Sequence, residues 1–472
     1  MATGRSKLSR SRMLALIVLL AAAGGYFLRD SSGSRAVAAF PAAEGFGSNA
    51  VGGRGGRVIK VTNLRDAGPG SLRNCLIARN PRICVFAVGG TIALQSVVEI
   101  TNPYLTVAGQ TAPGGGITVR AAGTASSTAR TTDVHIKIKT HDVIIRYLRL
   151  RPGTKGRNAR ALSINGPRGG QAHNIVVDHN SLSWAGDEIL IAWEATRSVT
   201  FSWNSFSESL DNEPFGQVGL KGPNLGNELG GFYSFHHNLV AHHSQRLPNI
   251  SAGAGPTDVV NNLMYNAGGT GSRVLMGAMI NFVGNYIKSG PNSTLKTWFS
   301  DDGAHGFYLG GANTVDDNSN TLVGRSMTLL SDSGIGKITS RFPAPAVTTT
   351  NASIAFDDVL NRAGAIHGLS CDGKWFTRRD LVDRRIVSSV RDGTRAHDKD
   401  SAKTFEGRGY ISYPEDVGGW PRLQRGFPCL DGDNDGMPNL WELKRGLNPK
   451  KNDSAKDRDR DGYTNIEEFI NG

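Results

Sequence analysis

Aromatic residues are scarce, 7% of the 472, while glycine fills 60 positions. That balance argues against a helical bundle, whose helices tolerate few glycines, and suits many short strands joined by tight turns. Cysteine is rare as well. None of the four is spaced as CxxC, which argues against a zinc site, and Cys75, Cys84, Cys371 and Cys429 fit an oxidising compartment. Nearest-neighbour pairing gives Cys75–Cys84 and Cys371–Cys429, one of the three connectivities that four cysteines allow. The apolar run "MLALIVLLAAAGGYFL" (13–28) falls short of the roughly 20 residues a spanning helix needs. Arg5, Lys7, Arg10 and Arg12 precede it and the A-x-A site of "AVAAF" follows, so residues 1–38 read as an export signal cleaved after Ala38. An uncleaved anchor is the alternative. Either way the body leaves the cytoplasm, and the expectation is a secreted protein with no membrane span after cleavage.

What the chain has in excess is positive charge, +12 overall. Residues 1–38 carry +5 and residues 426–472 carry −3, which leaves +10 on the body between them. Such a body attracts nucleic acid, anionic lipid or an acidic polysaccharide. No nucleic-acid motif is present and few aromatics interleave the basic runs, so the expected partner is an acidic polysaccharide.

Short apolar strands recur with an asparagine at a fixed place: "VVDHN" at Asn180, "TFSWN" at Asn204, "SFHHN" at Asn238, "DVVNN" at Asn262 and "NFVGN" at Asn285. A period of 20–30 residues signals a solenoid whose coils share one core. Equivalent asparagines can then bond from coil to coil. The fold class expected is all-β, a right-handed parallel β-helix, with an irregular β-sandwich as the alternative. The division expected is β-helix over 39–350, a capping and linker segment over 351–425, and a small module over 426–472. "DLVDRRIVSSVRDGT" (380–394) predicts a helix covering an open end, with Leu381, Ile386, Val387 and Val390 on its apolar side.

The stretch "FHHNLVAHHSQRLP" (235–248) gathers four histidines and Arg246. With "AFPAAEGFGSNAVGGRGGRVIKVTNLRDAGPGSLRNC" (39–75), "TVAGQTAPGGGITV" (106–119) and "NIVVDHNSLSW" (174–184), it resembles a secreted pectate lyase of the parallel β-helix type. The resemblance covers most of 39–290. It implies calcium-assisted β-elimination of α-1,4-polygalacturonate, leaving an unsaturated uronate at the new non-reducing end. It also implies that the base removing the C5 proton is an arginine in an R-x-P setting, here Arg246-Leu247-Pro248. Arginine has a reference pKa of about 12.5–13.8, so activity is expected to rise into the alkaline range. His236 and His237 fall in a repeat strand and read as structural, while His243, on the turn before Arg246, is a candidate substrate contact.

Carried over position by position, the family's calcium ligands are incomplete. Asp187 matches one, but Arg160 in "NARALSING" stands where an aspartate is expected. A further acidic position falls near Ile191, and a second basic one is Ser251. Arg160 would repel calcium yet bind a uronate carboxylate as a fork. Lys221 is the substrate-binding lysine, with Gln217 as the alternative alignment. Two rival functions remain. A polygalacturonase-type hydrolase would need convergent carboxylates; Asp187 and Glu188 are adjacent, and strand alternation would point them to opposite faces. A non-catalytic polysaccharide-binding β-helix is the other.

The acidic tail supplies a separate signal. "DGDNDGMPNLWE" (431–442) has the full spacing of an EF-hand calcium loop, with ligands Asp431, Asp433, Asp435, the Met437 carbonyl and Glu442. "DRDRDGYTNIEE" (457–468) repeats it with Asp457, Asp459, Asp461, the Tyr463 carbonyl and Glu468. Proline in "RGFPCL" leaves no entering helix, so the module is similar to dockerin-type or calcium-rich spacer repeats. Calcium is thus the expected cofactor, and the protein is expected to act as a monomer.

Overall fold

The computed structural model describes residues 37–123, 135–155, 158–167, 170–211, 220–226, 230–251, 255–275, 277–302, 306–311, 313–316, 327–330, 336–395, 397 and 410–472. Nearly all of the expected export signal, and Gln217, lie outside them. Among the described residues the solenoid strands form three parallel sheets of ten, nine and eight strands, and the chain visits them in turn. One coil runs through Ala172–Asp178, Ser181–Ser183 and Leu190–Trp193, and the next begins at Thr196–Ser202. This is a parallel β-helix. Pairing in register stacks like on like: Val177, Phe201, Phe235, Val259 and Phe282 form one column along the ten-stranded sheet, all fully buried. Such a column explains how few aromatics suffice, because each ring covers its neighbours above and below.

The asparagines do form a ladder. Asn204 Oδ1 accepts from the backbone N–H of Asn180 at 2.9 Å and from its Nδ2 at 3.2 Å. The same pair of bonds repeats from Asn204 to Asn238, Asn262 and Asn285. It continues to Asn313, one rung beyond the sequence reading. The residue before each rung turns the corner with positive φ, as at His179, Trp203 and His237.

Covering elements complete the body. Helix Leu72–Leu76 buries Leu72, Cys75 and Leu76 in the solenoid core, and the Cys75–Cys84 disulfide ties it to strand Arg82–Phe86. Residues 39–50 cross the ten-stranded sheet, where Phe40 and Ala50 pack with Ile144 and Val176. Helix Leu381–Asp392 does not cap an end. It lies with helix Ala352–Arg362 on the flank of the nine-stranded sheet, where Ile386, Val387 and Val390 pack against Leu239, Ala241, Leu263 and Tyr265. Leu381 is 63% exposed, so its expected place on the apolar side is wrong. The buried row is Val382, Ile386 and Val390, four residues apart, and Leu381 falls outside it. Buried Arg151 holds Asp380 at 2.5 Å and Asp383 at 2.7 Å, fastening this helix to the coils.

The acidic tail folds back onto the first coils. Met437, Trp441, Ile466, Phe469 and Ile470 share a core with Ile83, Val85 and Ala108 of the ten-stranded sheet. The second disulfide, Cys371–Cys429, closes the approach to it. Among the described residues no helix is long and apolar enough to cross a membrane.

Candidate active site and calcium loops

Four successive coils bring their charged residues to one edge of the eight-stranded sheet. Backbone bonds set the register: Asp187 N to Ala159 O at 2.9 Å, Ile189 N to Lys221 O at 3.0 Å, and Gly222 N to Gln245 O at 2.9 Å. Gly222 is required here, because a Cβ would lie 2.1 Å from the carbonyl oxygen of Arg246. Arg246 itself has φ +68° and is followed by a cis Leu247–Pro248 bond.

The side chains converge. Arg246 Nη1 donates to Glu188 Oε1, while its Nε is buried without a partner. Arg160 reaches Glu188 Oε2 at 3.2 Å and Asp187 Oδ2 at 3.5 Å. Lys221 Nζ donates to Asp187 Oδ1 at 2.7 Å, and the Asn158 backbone N–H to Asp187 Oδ2 at 3.3 Å. Arg160, Glu188 and Arg246 line an open cleft of about 500 Å³, together with Lys137, Asn165 and Trp193.

Asp187 and Glu188 therefore share one cluster, and the expectation of opposite faces fails. Asp187 lies on a bend and Glu188 in an isolated bridge to Lys221, between strands Ser181–Ser183 and Leu190–Trp193, so no continuous strand imposes alternation on them. Burial and a hydrogen bond to Glu188 push the Asp187 carboxyl up. Burial would also raise Glu188, but the bond from Asp187 and the charges of Arg246, Arg160 and Lys221 win and hold it down at about 2. Both carboxylates meet the single Arg160 guanidinium rather than standing apart on either side of a space for a glycosidic bond.

This corner does not fit a resident calcium ion. Two carboxylates already meet three side-chain cations, and both oxygens of Asp187 are taken. Ile191, where a further acid was sought, is buried. Asp187, expected as a metal ligand, is held here by Lys221, Arg160 and the Asn158 N–H.

The histidines are buried and hydrogen-bonded. His236 and His237 meet through their Nδ1 atoms at 3.0 Å. His242 contacts Ser389 and Asn266, each at 2.9 Å. His243 was expected to touch substrate; instead it is fully buried, with Ser209 Oγ at 3.0 Å and the Phe206 carbonyl at 3.2 Å on its two ring nitrogens. Burial lowers all four, His236 and His243 to about 4, His242 to about 3 and His237 to about 2. His243 lies beside Gly222 at the site edge, whereas His236 and His237 end a strand of the ten-stranded sheet and His242 faces helix Leu381–Asp392.

The tail is built oppositely. Carboxylate oxygens of Asp431, Asp433 and Asp435 lie within 4.8 Å of one another, as do those of Asp457, Asp459 and Asp461. Asp431 Oδ1, Asp433 Oδ2 and both oxygens of Glu442 are buried without partners. Gly436, at the sixth place of the first loop, has φ +93°. The second loop is more exposed, with the carboxylates of Asp457, Asp459 and Asp461 in solvent. Glu468 is half-buried; burial and the charges of Asp461 and Asp459 push it up. The Met437 N–H is fixed by Asp435 at 2.9 Å and the Tyr463 N–H by Asp461 at 2.8 Å, which holds the residues at place seven of each loop.

No protein-family model matches the chain. Curated relatives do. "Probable pectate lyase C" of Aspergillus flavus is 32% identical over 443 residues, covering 92% of this chain and 94% of that protein. The protein of the same name from Aspergillus fumigatus is 34% identical over 448 residues, covering 92% and 94%. Among solved structures, the cedar pollen allergen Jun a 1 aligns over 68% of this chain and 92% of its own, at 17% identity and a TM-score of 0.49. With that identity to curated relatives, sustained across more than nine-tenths of each chain, the protein belongs to the pectate lyase family of polysaccharide lyases.

Proposed function

We propose that this protein is a secreted, monomeric lyase that cleaves polygalacturonate by β-elimination, with Arg246 as the base. The observation that carries the reading is the convergence of Arg160, Lys221 and Arg246, drawn from three coils, on the Asp187 and Glu188 carboxylates at the edge of the cleft. Arg160, and Lys221 behind it, offer the uronate carboxylate a fork and a point charge, and their positive field stabilises the enolate that forms as C5 loses its proton. Arg246, with one guanidinium proton shed, takes that proton. The C5–H electron pair becomes the C4–C5 double bond, the C4–O bond breaks, and the departing oxygen is protonated by water. No step runs through a metal ion at this corner.

Calcium belongs in this reading to the tail. Orphaned buried oxygens of Asp431, Asp433 and Glu442 call for a cation, and the Met437 and Tyr463 carbonyls with Glu468 complete the two loops. The ion there supplies charge neutralisation that holds the tail on the first coils.

The test mixes purified protein with polygalacturonate at alkaline pH and follows the ultraviolet absorbance of unsaturated uronate. Rising absorbance that is lost in Arg246→Lys is the expected result. Binding without absorbance would replace the lyase by the polysaccharide-binding reading, and new reducing ends without absorbance would restore the hydrolase.

A further inference from the structure

The two calcium loops are not independent in space. Between them lies "LNPKKNDSAK" (447–456), which belongs to neither twelve-residue motif. Asp453 of this linker brings a carboxylate oxygen within 4.8 Å of oxygens of Asp435 and Glu442. Its backbone N–H donates to Asp435 Oδ2 at 3.3 Å. Glu442 is fully buried with both oxygens unpartnered, and Asp435 is 1% exposed, so Asp453 adds a third negative group to a closed acidic pocket. Lys60 Nζ meets Asp431 Oδ2 at 2.7 Å, but among the described residues no side-chain cation pairs with Asp435, Glu442 or Asp453.

The first loop also has a place to fill. Place nine of an EF-hand loop acts on the ion directly or through water. Here that residue is Asn439, whose Oδ1 instead accepts the Gly432 N–H at 2.7 Å. Calcium takes six to eight oxygens, and three aspartates, one carbonyl and a bidentate glutamate supply six. The same linker residue faces the second loop. Asn465, at place nine there, donates Nδ2 to the Asp453 carbonyl at 2.9 Å and to its Oδ1 at 3.3 Å.

We infer that Asp453 is a ligand of the calcium ion in the first loop and, through Asn465, couples occupancy of that loop to the second. This rests on the reading of both loops as calcium sites. An ion in the first loop draws in the Asp453 carboxylate, fixes the linker, and sets Asn465 for the second loop. The second ion returns the same coupling to the first, since linkage is reciprocal.

The full-length protein, stripped by chelator and gel filtration, is titrated with calcium chloride in a calorimeter. The parent should show a tight site and a weaker one. Asp453→Asn should weaken the tight site at least tenfold, and Asp453→Ser repeats the test if the first variant folds poorly by circular dichroism. Asn465→Ala should leave the tight site within about twofold and remove the coupling. Glu442→Gln is the control for the loop itself. If it abolishes the tight site while both Asp453 variants titrate like the parent, Asp453 is no ligand and this inference falls alone. Coupling that survives in Asn465→Ala overturns the link, and a parent that takes up no calcium overturns the loops as well.

Discussion

Glu188 and Glu442 are both buried glutamates, at 6% and 0% exposure, and they end in opposite states. Burial pushes each carboxyl up. At Glu188 the bond from Asp187 and the cations Arg246, Arg160 and Lys221 reverse that, holding it at about 2. At Glu442 the charges of Asp435, Asp433, Asp431 and Asp453 add to burial and raise it to about 7. The first cluster is neutralised by its own side chains, whereas in the second Lys60 meets Asp431 and Glu442 is left with both oxygens unpartnered. One chain thus carries two acidic clusters with opposite charge balance, and a count of carboxylates alone would not tell them apart.

The largest effect should come from the cationic cluster. Arg246→Lys keeps a positive charge but loses the guanidinium bond to Glu188, and general-base removal costs about 10²–10⁴-fold in turnover. The rate of unsaturated product measures it, with circular dichroism showing an intact fold. A variant at parent speed would remove Arg246 from the chemistry. Arg160→Asp sharpens the contrast by giving the corner the second cluster's character. Turnover with submicromolar calcium should fall about tenfold or more, and millimolar calcium should restore part of it. A variant whose residual activity ignores calcium would show that Arg160 does not stand where a cation acts.

Legibility in the sequence followed locality. The asparagine ladder and the two aspartate clusters of the tail were readable because their partners recur at fixed short spacings. Arg160, Asp187, Lys221 and Arg246 were reachable only through family resemblance. They meet through coil register, with pairs 27 to 58 residues apart, and no local rule encodes that distance. Glu188 was misjudged because alternation was applied across a bend. His243 was misjudged because nearness to Arg246 in sequence put it beneath the cleft rather than in it. Asp453 was invisible because it lies outside both motifs.

Chelation tests the second cluster directly. On the calcium reading, a chelator would leave Asp433, Asp435, Glu442 and Asp453 with no cation among the described residues, so the docked tail would lose part of its hold on Ile83, Val85 and Ala108. The melting temperature should drop by several degrees in chelator and recover with calcium, since a ligand at about 100 times its Kd adds about 2.7 kcal/mol. Protease should then cut within 426–472 before it cuts the solenoid. Unchanged melting and cleavage would make the two clusters alike after all.

The buried histidines separate burial from neighbouring charge, and their effect is the most gradual. At His242 burial lowers the pKa, Glu208 opposes it, and His397, Arg385 and His243 add to the lowering; the balance is about 3. His236 and His243 stand at about 4 and His237 at about 2, against an ordinary 6.5. Between these folded values and 6.5 the unfolded chain binds protons that the folded chain refuses. Stability from the neutral rings is therefore complete above about pH 6.5 and is lost as pH falls toward 4. Each ring contributes a slope of up to about 1.4 kcal/mol per pH unit in that window. Glu208, held at about 2 by Arg385 against its own burial, weakens the fold in the same direction only below the glutamate range. Glu442 and Asp435, raised to about 7 and about 6, titrate between 6.5 and 5 with the opposite sign, so the histidine slope is read as the difference between parent and variant. His242→Asn, which keeps a polar contact for Ser389 without a titrating ring, should flatten the melting temperature against pH there, though it lowers stability at neutral pH. A His242→Asn variant whose melting temperature follows pH just as the parent's does would mean that the His242 ring is protonated in the fold. The charge of Glu208 would then outweigh burial at His242, as the cations outweigh it at Glu188.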